Sequence, residues 1–247
     1  MPPVLIGTVD LPERLERERY FHELPYLELS ALFAGPLKPA SLARWQAAPP
    51  RALGLVAPWV LTQRKPPKAA RLWHHDGSVG DFRDSAHGRS ALAVFREVVT
   101  TVTASHAIFK SPPLFAPSTA NREQLKRFFG EIATEATVGA TRVWLPDGLW
   151  EPRAAVAFAT ELGVTCALDP LVYDPGSPAE VYEDLETTAL YFRIAGLGRT
   201  GPIRTEKLDD LAGLVEHYQG IDLTIAFASP GRWQDARNFK KLLEGAA

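Results

Sequence analysis

The chain repeats one pattern along most of its length: a short apolar run, then a longer segment with apolar residues at helical spacing. Such runs predict buried strands, and the spacing i, i+3, i+4 predicts amphipathic helices. The predicted strands are residues 4–7, 26–30, 53–57, 107–110, 142–145, 165–169, 189–194 and 222–227. Helices are predicted over 11–21, 91–102, 125–132, 155–162 and 178–185, near Pro39, from Thr205 as the N-cap, and after Ser229 and Pro230.

The order of these elements predicts the fold. A strand followed by a helix, repeated, requires parallel pairing, because parallel strands need a crossover connection. Eight such units in 247 residues predict an α/β protein with a single (β/α)8 TIM-barrel domain over residues 1–247. A doubly wound open sheet is the alternative. Segment 58–87 is rich in Pro, Lys, Gly and Asp and has no clear period, so we interpret it as an insertion or lid after the third strand.

Barrel geometry also predicts which strand residues face the barrel axis. Side chains alternate along a strand, so Glu28 and Arg193 face inward while their apolar neighbours pack against helices. A charge inside a barrel is costly unless it is paired. We therefore predict that Glu28 and Arg193 form an ion pair, which either is structural or positions a substrate. Ligand sites in such barrels lie at the carboxyl ends of the strands.

Composition narrows the function classes. The net charge is −2, so no global basic field indicates a nucleic-acid or membrane partner. The one cysteine, Cys166, excludes an internal disulfide and a multi-cysteine metal site. No apolar run approaches the roughly 18 residues of a membrane span, and the first residues lack the features of a signal sequence. We expect a cytoplasmic protein with no cofactor, metal site or membrane partner.

A glycine-rich basic loop follows the seventh predicted strand. Residues 196–201 match the pattern Gly-x-Gly-x-x-Gly, but the motif lies in the seventh unit and Pro202 follows it, which argues against a dinucleotide site. The loops after strands seven and eight are the common phosphate site of barrels. Gly198 and Arg199 are therefore candidate anion ligands, helped by Arg204. The alternative is a flexible loop with solvated arginines.

Other candidates stand near strand ends. Asp147 and Asp169 follow adjacent strands and either share acid/base work, hold magnesium, or form ordinary turns. Lys110 either binds a carboxylate or phosphate, or extends to solvent. Trp150 either lines a pocket for a sugar or base, or packs in the core. The run His74-His75-Asp76 has no spaced partner, so we predict no metal site there.

Several stretches resemble the YecE-like family, a domain of unknown function (number 72). The motifs are Ile6-Gly7-Thr8, Leu27-Glu28-Leu29-Ser30 with Phe33, Trp45 with Pro49, residues 57–65, Ser111-Pro112-Pro113-Leu114-Phe115, Tyr191-Phe192-Arg193, and Ala236 with Asn238. The resemblance spans nearly the whole chain and implies a xylose-isomerase-like barrel with no established activity.

The chain departs from the family pattern at polar positions. Gln63, Ala195 and Ala228-Ser229 stand where the family carries histidines and an asparagine pair, and Leu145-Pro146-Asp147 replaces its acid–phenylalanine–arginine segment. These replacements point to a specialised or catalytically silent member. Whether the protein is an enzyme is therefore left open.

Two hypotheses follow. In the first, the protein is an enzyme that binds a phosphate-bearing ligand at the C-terminal barrel face. Arg193, Arg199 and Lys110 then bind the anion, and Asp147 or Asp169 is the acid or base. In the second, it is a non-catalytic binding or scaffold barrel. Nucleic-acid binding is a weaker third hypothesis, which needs a basic stripe around Arg64, Lys65, Lys68, Arg71 and the loop after the seventh strand.

Overall fold

The structure is a computed structural model that describes residues 4–47, 52–68, 73–147, 150–172, 182–196 and 201–245. Eight parallel strands form a closed barrel in sequence order. The last strand pairs with the first, with Gly7 opposite Ala226. This closure confirms the predicted TIM barrel and shows that the open-sheet alternative is wrong. The strands are β1 (Leu5–Val9), β2 (Tyr26–Leu29), β3 (Ala52–Val56), β4 (His106–Lys110), β5 (Thr141–Leu145), β6 (Thr165–Leu168), β7 (Ala189–Ile194) and β8 (Asp222–Phe227).

Helices surround the barrel. They are α1 (Arg17–Glu23), α2 (Ala31–Ala34), α3 (Pro39–Ala47), α4 (Trp59–Thr62), α5 (Ala86–Thr101), α6 (Thr119–Arg127), a π-helix (Phe128–Ile132), α7 (Glu135–Val138), α8 (Pro152–Glu161), α9 (Thr205–His217) and α10 (Arg232–Gly245). Most predicted helices are present. The predicted helix over 178–185 falls partly outside the described residues, and its described part, 182–185, is not α-helical.

Several predicted helix starts are wrong, and α5, α6 and α8 begin at Ala86, Thr119 and Pro152 rather than at residues 91, 125 and 155. The first helix begins at Arg17 rather than at residue 11, because Arg14 has a φ of 62° and interrupts any helix there. The N-cap of α9 is Arg204, and Thr205 is its first helical residue. The last helix begins at Arg232. A turn precedes it, in which the Ser229 carbonyl oxygen accepts the Arg232 backbone N–H.

The predicted alternation of strand side chains is confirmed. Tyr26, Ile108, Val143, Tyr191 and Ala226 belong to an apolar cluster inside the barrel. Their strand neighbours belong to a larger second cluster between the strands and the helices. The barrel is therefore a filled core, and its ligand-accessible face is the mouth, meaning the C-terminal strand ends and the loops that follow them.

Segment 58–87 connects β3 to α5 and packs on the barrel. Its first residues form α4, whose four residues are all buried. Phe82 is fully buried, with its ring 5.4 Å from that of Phe115 and 5.2 Å from that of Phe128. Gly80 has a φ of 83°, and a Cβ there would lie 2.2 Å from the Gln63 carbonyl oxygen. The described part of the predicted insertion is thus docked on the core, and its role as a lid stays a prediction.

A buried arginine joins two helix ends at the opposite face. Arg142, in β5, donates to the carbonyl oxygens of Phe129 (2.8 Å), Ala133 (3.1 Å) and Gly163 (2.8 Å). Phe129 is the second residue of the π-helix, Ala133 directly follows its last residue, and Gly163 lies just after α8. A cation there complements the partial negative charge of helix C-termini. Arg142 therefore has a structural role.

Candidate functional site

The centre of the barrel mouth holds an ion pair that crosses the barrel. Arg193 Nε donates to Glu28 Oε1 at 3.0 Å and to Oε2 at 3.3 Å. Tyr191 donates its hydroxyl to Glu28 Oε2 at 2.7 Å. Glu28 is fully buried, whereas the Arg193 side chain is 20% exposed. The predicted pair is confirmed, and its arginine is the member that reaches the mouth.

An aromatic network lies beneath this pair. The Tyr26 and Tyr191 hydroxyls are 3.0 Å apart, and the His106 ring contacts both rings edge to face. A Cβ at Gly54 would lie 2.0 Å from the Tyr26 hydroxyl, so glycine is required there. Burial, and then the Glu28 charge, raises the pKa of both tyrosines. Burial lowers the pKa of His106 to about 4, so the network beneath Glu28 is neutral.

Glu28 accepts hydrogen bonds from only one of the three guanidinium nitrogens of Arg193. Burial opposes its charge, but the charge and hydrogen bonds of Glu28 outweigh burial and raise the pKa of Arg193. Within the described ranges its hydrogen bonds come from Nε alone. The two terminal nitrogens thus remain as donors in a fixed fork, the geometry that recognises carboxylate and phosphate.

A second carboxylate lies at the end of β1. Asp10 has a φ of 57°, and its Oδ1 accepts the Ser30 backbone N–H at 2.8 Å. Its Oδ2 accepts the Ser30 hydroxyl. Sequence analysis placed no function on Asp10, although an Asp directly after a barrel strand is a recognisable signal.

Asp169 and Asp147 lie after β6 and β5, as predicted, and both are half-buried. Asp169 Oδ1 accepts the Leu171 backbone N–H at 3.1 Å, and its Oδ2 accepts the Ala195 backbone N–H at 2.7 Å. Burial raises the pKa of Asp169, and the two backbone hydrogen bonds oppose that change. The predicted acid/base work of the two aspartates stays a prediction.

The other two candidates differ in position. Lys110 ends β4 with an exposed side chain, and its carbonyl accepts Gln63 Nε2 at 2.9 Å. Trp150 lies on the outer side of the barrel, where Nε1 donates to the Phe115 carbonyl at 2.6 Å. Its ring stacks on Phe158 at 5.5 Å and has the Arg122 guanidinium 4.8 Å from its centroid. Trp150 therefore packs between the loops after β4 and β5 and α8, and its predicted ligand-binding role stays a prediction.

A small cavity lies between the loops after β7 and β8. Its volume is about 100 Å³, which leaves room for several water-sized atoms at about 10–15 Å³ each. Its lining is mostly apolar and consists of Leu171, Gly196, Gly201, Pro202, Ile203, Arg204, Lys207, Ser229 and Pro230. In the described part of the chain, α9 begins beside this cavity without a side-chain cap. The predicted anion ligands Gly198 and Arg199 lie outside the described residues.

A buried carboxylate binds two residues that line this cavity. Asp235, in the first turn of α10, is fully buried. Its Oδ1 accepts the Ile203 backbone N–H at 3.0 Å and its Oδ2 accepts the Ser229 hydroxyl at 2.5 Å. Sequence reasoning missed Asp235, because an acid in the first turn of a helix usually indicates only a helix start.

Two further observations concern the described residues. They contain no group of three or more His, Cys, Asp or Glu side chains arranged to hold a metal ion. None of their helices combines the length and the hydropathy that a membrane crossing requires.

The chain matches no protein-family model and no curated protein. It is similar to the solved structure of a DUF72 family protein from Thermotoga maritima MSB8, with 15% identity and a TM-score of 0.63 over 97% of this chain and 99% of that chain. It is also similar to a DUF72 family protein from Enterococcus faecalis V583, with 13% identity and a TM-score of 0.68 over 97% of this chain and 98% of that chain. The chain has the fold of DUF72 family proteins. A third similar structure is that of a xylose isomerase domain protein from Planctomyces limnophilus, with 14% identity and a TM-score of 0.60 over 99% of this chain and 96% of that chain. These matches confirm the resemblance to the YecE-like family at the level of the fold.

Proposed function

We propose that this protein is an enzyme that binds a phosphate-bearing ligand at the barrel mouth. The phosphate group occupies the cavity between the loops after β7 and β8, and the rest of the ligand extends towards Arg193. The observation that carries the proposal is the start of α9, which has no side-chain cap among the described residues and borders a cavity whose lining includes Arg204 and Lys207.

The physical basis is the unpaired backbone at a helix start. The first N–H groups of a helix have no partner within it, and the helix dipole places partial positive charge there. α9 has 13 residues, enough for a developed dipole. Together with two cationic side chains, these groups form an anion site in the region where barrel enzymes commonly bind phosphate.

The central mouth would hold the reacting part of the ligand. Arg193 lies in β7, three residues before Gly196 of the following loop, and Glu28 fixes its orientation. Lys110 supplies a second cation at the same face. Asp169 has a pKa raised by burial, which suits a general acid or base, and Asp147 is the other candidate.

One observation favours the second hypothesis, a non-catalytic binding or scaffold barrel. The carboxylates of the mouth already bind protein groups: Glu28 binds Arg193 and Tyr191, and Asp10 binds Ser30. A mouth that satisfies its own polar groups needs no substrate for stability. The enzyme hypothesis requires that a phosphate-bearing ligand binds at the mouth, whereas the scaffold hypothesis does not.

A thermal-shift screen of phosphorylated metabolites and nucleotides, with and without magnesium, tests the proposal. A ligand at 100 times its dissociation constant stabilises the protein by about 2.7 kcal/mol. We expect that shift in the wild type and a loss of most of it in Arg204→Met. Arg153→Met is the matched control, because Arg153 is an exposed arginine paired with Asp184 on the outer surface. No shift with any compound, or an equal shift in Arg204→Met, would contradict the proposal.

A further inference from the structure

The Arg193 guanidinium presents one free edge to the centre of the barrel mouth. Glu28 accepts from Nε, and within the described residues neither terminal nitrogen of Arg193 has a hydrogen-bond partner. Neither nitrogen is among the buried unpaired nitrogens of those residues, so both reach the solvent of the mouth. We propose that this edge receives a carboxylate group of the ligand, held by two parallel hydrogen bonds. The phosphate at the other end of that ligand rests on the proposed function, whereas the carboxylate rests on Arg193.

A chain of hydroxyl groups fixes the direction of this edge. Tyr191 has one hydroxyl hydrogen, and the Glu28 carboxylate, at 2.7 Å, accepts it. In the 3.0 Å contact between the two tyrosine hydroxyls, Tyr26 is therefore the donor. Gly54 leaves the room that the Tyr26 hydroxyl needs, since a Cβ there would lie 2.0 Å from it. Tyr191 and Glu28 are thus positioning residues, which orient Arg193 without touching the ligand.

Two more carboxylates lie near Arg193 without bonding to it. Asp10 and Asp169 are both within electrostatic range of its guanidinium. Asp10 accepts the backbone N–H and the hydroxyl of Ser30. Asp169 accepts the backbone N–H groups of residues 171 and 195. Because these oxygens bind other groups, the terminal nitrogens of Arg193 stay available to a ligand.

The same carboxylates decide which anion suits this edge. Together with Glu28, Asp10 and Asp169 surround one arginine with negative charge. A phosphate group carries a charge of about −1.5 to −2 at neutral pH, whereas a carboxylate carries a single charge. Phosphate therefore meets up to about twice the Coulomb repulsion. A planar carboxylate also matches the two nitrogens of the fork with its two oxygens. The mouth therefore favours a small carboxylic acid at Arg193.

Nuclear magnetic resonance of the isotope-labelled protein tests this site directly. The probe is sodium acetate at neutral pH, with the ionic strength held constant by sodium chloride. We expect the Arg193 guanidinium signals to shift and saturate with acetate, and acetamide, an uncharged molecule of the same shape, to leave them unchanged. Sodium phosphate should need about a tenfold higher concentration for the same shift. Signals that acetate leaves unmoved, or that phosphate shifts at a lower concentration than acetate, would overturn the inference.

Two variants test the fork and its positioning. Arg193→Lys keeps a cation for Glu28 but has no planar fork, so it should bind acetate about tenfold more weakly than the wild type. Tyr191→Phe keeps the ring and removes the hydroxyl that binds Glu28, so acetate binding should weaken about fivefold. Acetate affinity is read from the backbone amide signals of β7.

Tyr218→Phe is the matched control for the loss of a tyrosine hydroxyl. The Tyr218 hydroxyl contacts backbone groups of residues 182 and 185, at the end of α9 and away from the mouth. This variant should bind acetate like the wild type. If Tyr191→Phe loses stability but keeps the wild-type affinity for acetate, Tyr191 is structural and its positioning role is wrong. Undiminished acetate binding by Arg193→Lys would overturn the fork itself.

Acetate carries no phosphate, so the inference and the proposed function fail separately. If acetate shifts the Arg193 signals and no phosphorylated compound binds, the proposed function fails and the carboxylate site stands. If phosphorylated compounds bind at the edge of the mouth and acetate leaves Arg193 unmoved, only the carboxylate site is overturned.

Discussion

At the residue scale, the stability of the barrel depends on how the buried carboxylate of Glu28 is paired. Glu28 is fully buried, and its charge is balanced by Arg193 alone among the described cations within hydrogen-bonding distance. Taking a carboxylate out of water costs several kcal/mol, which a well-placed partner offsets. The arginine therefore stabilises the fold at the same time as it presents donors to the mouth.

Replacing Arg193 by Met leaves Glu28 without its cation. We expect the free energy of unfolding, measured by urea denaturation, to fall by about 3–5 kcal/mol, the cost of an unpaired buried charge. The double variant Glu28→Leu with Arg193→Met is the control and should recover most of that loss. A single variant as stable as the wild type would contradict the structural role of the pair.

The partly buried side chain of His106 predicts a pH dependence of stability. The pKa of His106 is lowered from 6.5 to about 4, so the unfolded chain binds a proton that the folded protein does not. Stability is therefore lost as the pH falls from about 6.5 towards about 4, and at pH 5 the loss is about 2 kcal/mol. Urea denaturation at pH 7.5 and pH 5 should show this loss in the wild type.

His106→Phe keeps an aromatic ring against Tyr26 and Tyr191 but cannot be protonated. It should lose about 2 kcal/mol less than the wild type over the same pH change. His217, an exposed histidine at the end of α9, provides the control variant His217→Gln, which should follow the wild type. If His106→Phe loses as much stability as the wild type, protonation of His106 does not cause the acid sensitivity.

At the element scale, the strands were predictable because an apolar run between turn residues has few other interpretations. β7 and β8 have the predicted bounds of 189–194 and 222–227. Helix ends were less predictable. The positive φ at Arg14 and the turn from Ser229 to Arg232 are local backbone features that apolar spacing does not record.

Contacts between distant elements were predictable only where alternation aligned them. The pair of Glu28 and Arg193 followed from strand geometry, since both side chains had to face the barrel axis. The contact of Asp235 with Ile203 spans 32 residues and joins a helix to a loop, and no periodicity points to it. The hydrogen bonds from Arg142 to backbone carbonyls of two helices were not predictable either, because no periodicity points to them.

At the scale of the whole molecule, the barrel divides into a neutral interior and a mouth with separate polar groups. The interior is closed by Tyr26, Tyr191 and His106 below Glu28. Above it, Arg193 lies at the centre of the mouth and the start of α9 lies at one edge. The sequence predicted this edge as an anion site from the glycines and arginines of the loop, and the structure adds a cavity and a helix start beside it.

Crystallography with tungstate, a tetrahedral anion with strong anomalous scattering, tests the central claim most directly. We predict an anomalous peak in the cavity between the loops after β7 and β8, within hydrogen-bonding distance of the Thr205 and Glu206 backbone N–H groups. Crystals of Arg204→Met under the same conditions should show a much weaker peak. Tungstate ordered only at other surfaces, with this cavity empty, would contradict the claim that the barrel mouth binds a phosphate-bearing ligand there.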